Sequence, residues 1–262
     1  MNVPYRNYLA SRSDLEVRVS EVESRASGLA VGRLEVWPPE SARGQDVMSL
    51  IEASGLDVVI VRAGAEDIEL AAALGTEAYI SWQADTLLYF TIAAESLSAG
   101  SEPDALVPMV SGDESDANAL VGRIFADYRN HYSANPALSR LNVVAAYQDW
   151  TRAVLGTDTS AVFKSLGTSG APAGLCVMDI SDESFDEILL AGIVPEERGH
   201  GSYPRMLHAV GARAQAANKE SVVISTQAAN LGVIRAWCRL GFLPTVAVNT
   251  IHVVRRDIHQ AS

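Results

Sequence analysis

The 262-residue sequence has little of several features that mark specialised classes of protein. Its two cysteines, Cys176 and Cys238, are too few for a disulfide framework or a cysteine-rich metal site. It lacks a run of about 18 apolar residues that could span a membrane, and its N-terminus lacks the apolar segment of a secretory signal. Long runs of lysine or arginine are also missing, and the net charge is −12. We therefore expect a cytoplasmic protein that binds neither nucleic acid nor membrane.

The chain contains enough apolar residues, 48%, to bury a large core. Alternating apolar residues predict strands at 15–19 and 29–36, with a hairpin-like connection whose residues 23–28 form a loop. A helix at 44–54, a buried strand at 56–62 and a helix at 66–74 follow, before strands at 78–82 and 85–92. This alternation of strands and helices predicts an α/β (α+β) fold.

Turn-forming residues are concentrated in the middle of the chain and predict a domain boundary. We expect an accessory α/β domain at 1–94, a linker at 95–106 and a second domain at 107–262. In the second domain, 117–128 has the helical pattern, and Ser139 is expected to cap a helix at about 140–155. The loop between these helices contains His131 and Tyr132, which are candidates for substrate binding, although a hydrogen-bonded surface connector would also contain such residues.

The most informative stretch begins with the apolar run ILLAGIV at 188–194, which is typical of a central strand buried on both faces. The sequence RGHGSYP follows at 198–204, and a helical pattern comes next. Glycines between a strand and a helix allow several backbone N–H groups to face one anionic ligand. Asn230 and Gly241 are expected to cap a later helix at its two ends. The pattern predicts a phosphate-binding turn.

The same residues carry a resemblance to a known family. Arg198, Gly199, His200, Gly201, Ser202 and Tyr203 resemble the Gln/Arg-x-x-Gly-x-Gly/Ala motif of the GNAT superfamily of N-acetyltransferases. Asn230, Gly241 and Phe242 match the second landmark of that superfamily, Asn-x-x-Ala-x-x-x-Tyr-x-x-x-Gly-Phe. The resemblance implies a GNAT fold, in which helices flank a central mixed sheet, with a smaller N-terminal α/β domain.

The resemblance also implies a ligand, acetyl-coenzyme A (acetyl-CoA), as the acyl donor. By this resemblance, the strand residues Ala191, Gly192 and Ile193 bind the pantetheine arm, and the N–H of Ile193 is the candidate donor to the oxyanion. The remaining expected contacts with the coenzyme are made by Arg198, Gly199, His200, Gly201, Ser202, Tyr203, Asn230 and Trp237. For Asn230, an ordinary helix cap is an equally acceptable interpretation.

Two departures from the family pattern bear on the mechanism. The tyrosine usually proposed to protonate the leaving thiolate aligns with Trp237, whose indole N–H is too weakly acidic for that role. Tyr203 stands where the family has glycine or alanine. It could narrow the phosphate site, pack outside it, or replace the lost acid, although its position at the pyrophosphate end argues against the last role.

The residue that accepts the proton of the amine is less well defined. Glu187 and His131 are the candidate general bases by position alone, although the pattern favours Glu187 as a solvated residue at the start of a strand. His252 is expected to be structural, and His200 could add positive charge near the phosphates or face solvent. The spacing of the five histidines does not suggest a metal site.

The order of elements is similar to the sugar-nucleotide branch of the superfamily, represented by dTDP-fucosamine acetyltransferase. That resemblance implies direct transfer of acetyl to a primary amine, preferably of a small-molecule dTDP- or UDP-amino sugar, and allows a homodimer. The alternatives are another amine acceptor, such as an antibiotic or a peptide N-terminus, a larger acyl donor, or a CoA-binding protein without catalysis.

Overall fold

The computed structural model describes residues 5, 15–37, 44–99, 106–139, 141–167 and 169–261. Within these residues, ten strands form one mixed sheet in the order β1-β2-β3-β10-β4-β9-β8-β7-β6-β5. The strands are β1 Arg18–Val19, β2 Val31–Val36, β3 Val58–Gly64, β4 Tyr79–Ala93, β5 Leu106–Met109, β6 Ser160–Leu166, β7 Pro172–Asp179, β8 Phe185–Ile193, β9 Ser221–Gln227 and β10 Leu243–Arg255.

Helices connect the strands and cover both faces of the sheet. They are α1 Glu21–Ser27, α2 Gly44–Ser54, α3 Ile68–Ala73, α4 Ala94–Ser98, α5 Glu114–Ile124, α6 Val143–Val154, α7 Ser202–Ala216, α8 Leu231–Leu240 and α9 Arg256–Ala261. Short 3-10 turns lie at His131–Ala134, Pro136–Leu138 and Pro195–Glu197. No helix in the described parts of the chain is long and apolar enough to cross a membrane.

The side chains of each strand alternate between two cores, as the period of two requires. On one face, α4, α7 and α8 pack over residues such as Ile188 and Ile224, while α2 and α3 pack over Val61. On the opposite face, α5 and α6 pack over Leu175 and Leu190. The mixed α/β fold predicted from the sequence is confirmed.

The final long strand joins the two halves of the sheet. β10 pairs antiparallel with β3 on one side and with β4 on the other. The strands of the first 94 residues therefore share hydrogen bonds with the C-terminal part of the chain. The division into domains at 95–106 stays a prediction, and residues 100–105 of that linker lie outside the described residues.

Three local predictions were wrong. β1 and β2 do pair antiparallel, but the predicted loop between them lies within the helix α1. The first turn of α1 is acidic, and the helix ends at Gly28, which has the left-handed conformation. The two strands predicted at 78–92 are one strand, β4, in which Ala84 is an extra residue opposite β10. The helix predicted at 140–155 begins at Val143, because Asn142, rather than Ser139, accepts the N–H of Ala145.

Candidate functional site

A gap opens in the sheet where β8 and β9 separate. Their parallel pairing ends at Ile188 and Ile224, although β8 continues to Ile193 and β9 continues to Gln227. At the same point β8 contains a β-bulge. Val177 of β7 pairs with Leu190 and Met178 pairs with Ile188, so Leu189 has no partner in β7. Bulges re-aim a strand and often accompany active sites. We call the space between the separated ends of β8 and β9 the strand gap.

Backbone groups of β8 face this strand gap. The N–H of Val194 donates to the carbonyl of Ala173 at 2.8 Å, so Val194 is directed towards β7. Hydrogen-bonding direction alternates along an antiparallel pair. Ala191 and Ile193 therefore turn their N–H and C=O groups away from β7 and into the strand gap, whereas the third residue of the predicted set, Gly192, does not. Gly192 turns its backbone towards β7, and a Cβ at Gly192 would lie 2.2 Å from Cγ2 of Ile124 on α5.

The turn after β8 forms a cradle, defined here as residues 199–203 at the start of α7. Gly199 and Gly201 have φ angles of +83° and +79°, the left-handed region that favours glycine. A Cβ at either position would meet no atom within 4 Å, so open space lies beside both. The first N–H groups of α7 have no partner within the helix and carry its positive dipole end. The cradle can therefore hold an anion in backbone contact, as a pyrophosphate requires.

The polar side chains around the cradle were expected to contact the coenzyme, but two of them form hydrogen bonds with protein groups. The guanidinium of Arg198 donates to the carbonyls of Ile193, at 3.3 Å, and Ile124, at 3.2 Å, and so connects the end of β8 to the end of α5. The buried hydroxyl of Ser202 donates to Glu197 at 2.8 Å. His200 is exposed to solvent. Arg198 lines the cavity, whereas His200 and Ser202 do not.

The strand gap and the cradle both border one cavity of about 760 Å³. The cavity is lined along β8 by residues 188–193, along β9 by residues 224–226, and at the cradle by Gly199, Gly201 and Tyr203. Six of the predicted site residues outside β8 are therefore brought together here: Arg198, Gly199, Gly201, Tyr203, Asn230 and Trp237.

Tyr203 and Trp237 form a hydrogen-bonded pair on the wall of this cavity. The indole Nε1–H of Trp237 donates to the hydroxyl oxygen of Tyr203 at 3.0 Å. Trp237 is 2% exposed and is fixed by the ring of Phe90, whose centroid lies 5.4 Å away in an edge-on arrangement. Burial raises the pKa of Tyr203 well above its usual value, and the hydrogen bond from Trp237 partly opposes that rise.

Asn230 precedes α8, but its side chain does not cap the helix. Its Nδ2 instead donates to Oγ1 of Thr226 at 3.1 Å, on the unpaired end of β9. The capping interpretation is therefore wrong. Gly241 does end α8 in the left-handed conformation, with φ +94°, as predicted. Because Asn230 and Thr226 both line the cavity, the amide is available to a ligand in the strand gap.

Glu187, His131 and Tyr132 are not among the residues that line the large cavity. Glu187 lies on β8 just before the strand gap, where it is 1% exposed and accepts the backbone N–H of Tyr5 at 2.6 Å. Tyr132 donates its hydroxyl proton to Glu23 at 2.6 Å and accepts from Arg33 at 3.1 Å. The catalytic and substrate-binding roles assigned to these residues stay predictions.

His131 belongs to a buried chain of hydrogen bonds with His252 and Asn135. Oδ1 of Asn135 accepts the N–H of Ala137, so Nδ2 of Asn135 donates to Nδ1 of His252 at 3.0 Å. Nε2 of His252 then donates to Nδ1 of His131 at 2.9 Å, which requires both rings to be neutral. Burial and the charge of Arg62 lower the pKa of His131 far below its usual value and that of His252 to about 3.

An aromatic wall lines the cavity on the face of the sheet opposite to α7 and α8, and it was missing from the predicted site. It consists of Phe125, Tyr128, Tyr147 and Trp150, contributed by the end of α5, the segment after it, and α6. The apolar stripe of α6 contained Tyr147 and Trp150, but aromatic residues on a helical stripe usually pack in a core. Only the position of α6 across the strand gap makes them cavity residues. Within the described parts of the chain, no cluster of acidic, histidine or cysteine side chains could hold a metal ion.

Neither a protein-family model nor a curated protein matches this sequence. Solved structures with a similar fold do exist. A conserved protein of unknown function from Staphylococcus epidermidis has a TM-score of 0.63 at 12% identity, over 97% of each chain. A GCN5-related N-acetyltransferase from Sphaerobacter thermophilus has a TM-score of 0.56 at 15% identity, over 92% of this chain and 76% of the other.

A third similar structure is N-myristoyltransferase from Saccharomyces cerevisiae with bound myristoyl-CoA. It has a TM-score of 0.53 at 8% identity, over 92% of this chain and 62% of the other. At these identities the similarity establishes the fold alone. The strand gap, the glycine cradle at the start of α7 and the mixed sheet flanked by helices are therefore parts of a GNAT fold.

Proposed function

We propose that the protein is an N-acetyltransferase that moves acetyl from acetyl-CoA directly to a primary amine. The observation that carries this proposal is that the strand gap between β8 and β9 opens from the glycine cradle into one continuous cavity. A ligand with a pyrophosphate, an extended amide-containing arm and a terminal thioester matches that sequence of features. The N-acetyltransferase and the N-myristoyltransferase of similar fold support the same class of donor.

The direction of the donor follows from the order of the features. Its phosphates would bind at the cradle, and its pantetheine arm would run back along β8 and pair with the exposed backbone of Ile193 and Ala191. A strand rises about 3.3 Å per residue, so residues 193 to 189 cover roughly 13 Å. We therefore expect the thioester near the closed end of the strand gap, beside Leu189 and Ala191. The N–H of Ala191 is then better placed than that of Ile193 to stabilise the oxyanion.

The acceptor amine would approach from the side of the aromatic wall. The backbone N–H groups of β8 would hold the carbonyl while the amine nitrogen attacks its carbon, which is the positioning and electrostatic contribution the fold can supply. Glu187 remains our candidate to take the proton of the amine, because it lies two residues before the bulge at Leu189. Its burial means that a water molecule or a small shift would have to connect it to the amine.

We propose a nucleotide-linked amino sugar, such as a dTDP- or UDP-amino sugar, as the preferred acceptor. The support is the order of elements in the sequence together with the aromatic wall, since flat aromatic side chains stack well on sugar and base rings. Another amine, such as an antibiotic or a peptide N-terminus, and a longer acyl chain are the alternatives.

Two measurements test the proposal in sequence. Calorimetry with acetyl-CoA should give saturable binding at a single site. Lack of binding would reject every acyltransferase function proposed here. Release of the CoA thiol should then be followed over a panel of dTDP- and UDP-amino sugars, an aminoglycoside and a short peptide. Turnover confined to the amino sugars supports the preferred acceptor. Binding of acetyl-CoA without turnover on any member would reject the sugar acceptor.

A further inference from the structure

The place of Tyr203 in the fold differs from what its sequence position suggests. Its backbone belongs to the cradle, but its side chain reaches α8, where its hydroxyl meets the indole of Trp237. Trp237 packs edge-on against Phe90 of β4, with 5.4 Å between the ring centroids. Phe90 pairs with Ile224, the last residue of β9 that pairs with β8. The Tyr203 hydroxyl thus lies towards the closed end of the strand gap, away from the pyrophosphate end.

The hydrogen bond with Trp237 has a fixed direction. An indole N–H can only donate, so the oxygen of Tyr203 is the acceptor, and the hydroxyl proton takes no part in this bond. Among the described residues, no group accepts that proton, and Tyr203 lines the cavity. The phenol oxygen accepts the bond from Trp237, so the hydroxyl proton of Tyr203 is available for donation to a ligand in the cavity.

On the basis of the proposed function, we propose that Tyr203 is the general acid that protonates the departing thiolate of CoA, and that Trp237 positions it. The amine nitrogen forms a bond to the thioester carbon, and the carbon–sulfur bond then breaks, with its electron pair going to sulfur. Tyr203 gives its proton to that sulfur, and the phenolate is held by the N–H of Trp237. The proton lost by the amine returns to the phenolate through solvent, so the reaction yields an amide and a thiol with atoms and charge balanced.

Trp237 thereby stabilises the phenolate that the step creates. A hydrogen bond to the charged form of an acid favours that form. The same donor bond opposes the effect of burial on the pKa of Tyr203 in the free protein. Tryptophan at 237 and tyrosine at 203 therefore work as a pair, with the acid on α7 and its support on α8.

The test uses free CoA and does not depend on the acceptor. If Tyr203 donates to the sulfur, the thiol pKa of bound CoA, followed by the ultraviolet absorbance of the thiolate, should be higher by about one unit in Tyr203→Phe than in the wild type. Binding of CoA by calorimetry should stay within a few-fold, since the substitution removes a hydroxyl and leaves the backbone N–H groups of the cradle in place. Tyr79→Phe, which removes the hydroxyl that donates to Leu56 in the other half of the sheet, serves as the control and should leave the thiol pKa unchanged.

The outcomes separate this inference from the proposed function. If CoA binds and its thiol pKa is the same in the wild type and Tyr203→Phe, the role of Tyr203 is wrong while the acyltransferase proposal stands. If the wild type does not bind CoA, both are wrong. Trp237→Phe should also raise the thiol pKa, by less than Tyr203→Phe. With an acceptor from the panel, Tyr203→Phe should lower kcat about 100-fold with an unchanged KM for acetyl-CoA.

Discussion

At the scale of single residues, the cradle depends on two backbone conformations that only glycine adopts easily. Gly201 has φ +79° and open space beside it, and it borders the cavity. Gly28 has nearly the same conformation, φ +75°, and the same open surroundings, but it ends α1 and does not line the cavity. Substitutions at the two positions therefore carry similar backbone strain and differ only in what the new side chain obstructs.

We predict that Gly201→Trp abolishes binding of acetyl-CoA, with a loss of at least about 100-fold in affinity, because the indole would fill the space that the phosphates need. Each variant should lose about 1–2 kcal/mol of stability from the strained φ angle. Gly28→Trp should keep the affinity of the wild type. Calorimetry and urea unfolding on both variants check this, and equal affinities in the two variants would show that the cradle is not the phosphate site.

At the scale of elements, α5 and the end of β8 pack so closely that they form one wall of the site. Gly192 faces Ile124, and Arg198 donates to the carbonyls of both Ile124 and Ile193. The family resemblance implied a backbone-binding role for Gly192, on the strand before the glycine motif. The structure provides a packing reason for the glycine, since any side chain there would collide with α5.

We predict that Gly192→Val destabilises the protein by about 1–3 kcal/mol, since overpacking a filled core forces neighbouring elements apart. Ile124→Ala should also destabilise it, by about 2–5 kcal/mol, because a buried aliphatic side chain is lost. The double variant should lose less unfolding free energy than the sum of the losses in the two single variants, because the valine occupies the space vacated by isoleucine. Urea unfolding of all four proteins gives the coupling free energy, and strict additivity would contradict this contact.

At the scale of the whole molecule, the sheet buries ionisable groups that do not line the cavity. His131 and His252 are neutral in the folded protein because burial lowers both pKa values, that of His252 to about 3. In the unfolded chain, histidine binds a proton below about pH 6.5. As the pH falls below 6.5, the unfolded state therefore binds protons that the folded state does not, and stability decreases. Above 6.5 this contribution is fully present.

We predict a loss of about 2 kcal/mol in unfolding free energy from His252 alone between pH 6.5 and pH 5, at about 1.4 kcal/mol per pH unit. Replacing it, as in His252→Asn, should lower stability at pH 7 but flatten the slope of stability against pH in this range. The solvent-exposed His259 provides the comparison through His259→Asn, which should retain the wild-type slope. Urea unfolding at several pH values measures the slopes, and an unchanged slope in His252→Asn would contradict the prediction.

The sequence by itself determined the mixed α/β class and the glycine turn after a buried strand, because apolar periodicity and glycine placement are local properties of the chain. It also identified β8 through its continuous apolar run. It could not place α1 or the start of α6. The left-handed backbone of Gly28 ends α1, and the side chain of Asn142 caps α6, whereas apolar periodicity leaves helix ends open.

Only the tertiary structure decided which residues meet. The aromatic wall, the hydrogen bonds of His252 with His131 and Asn135, and the pairing of Tyr203 with Trp237 each join residues that are distant in sequence. Tyr203 and Trp237 are 34 positions apart. Such contacts depend on strand order and helix orientation, which are set by the packing of the whole sheet. The local pattern indicated a phosphate-binding turn. The separation of β8 from β9 creates the cavity, and the turn lies at one end of it.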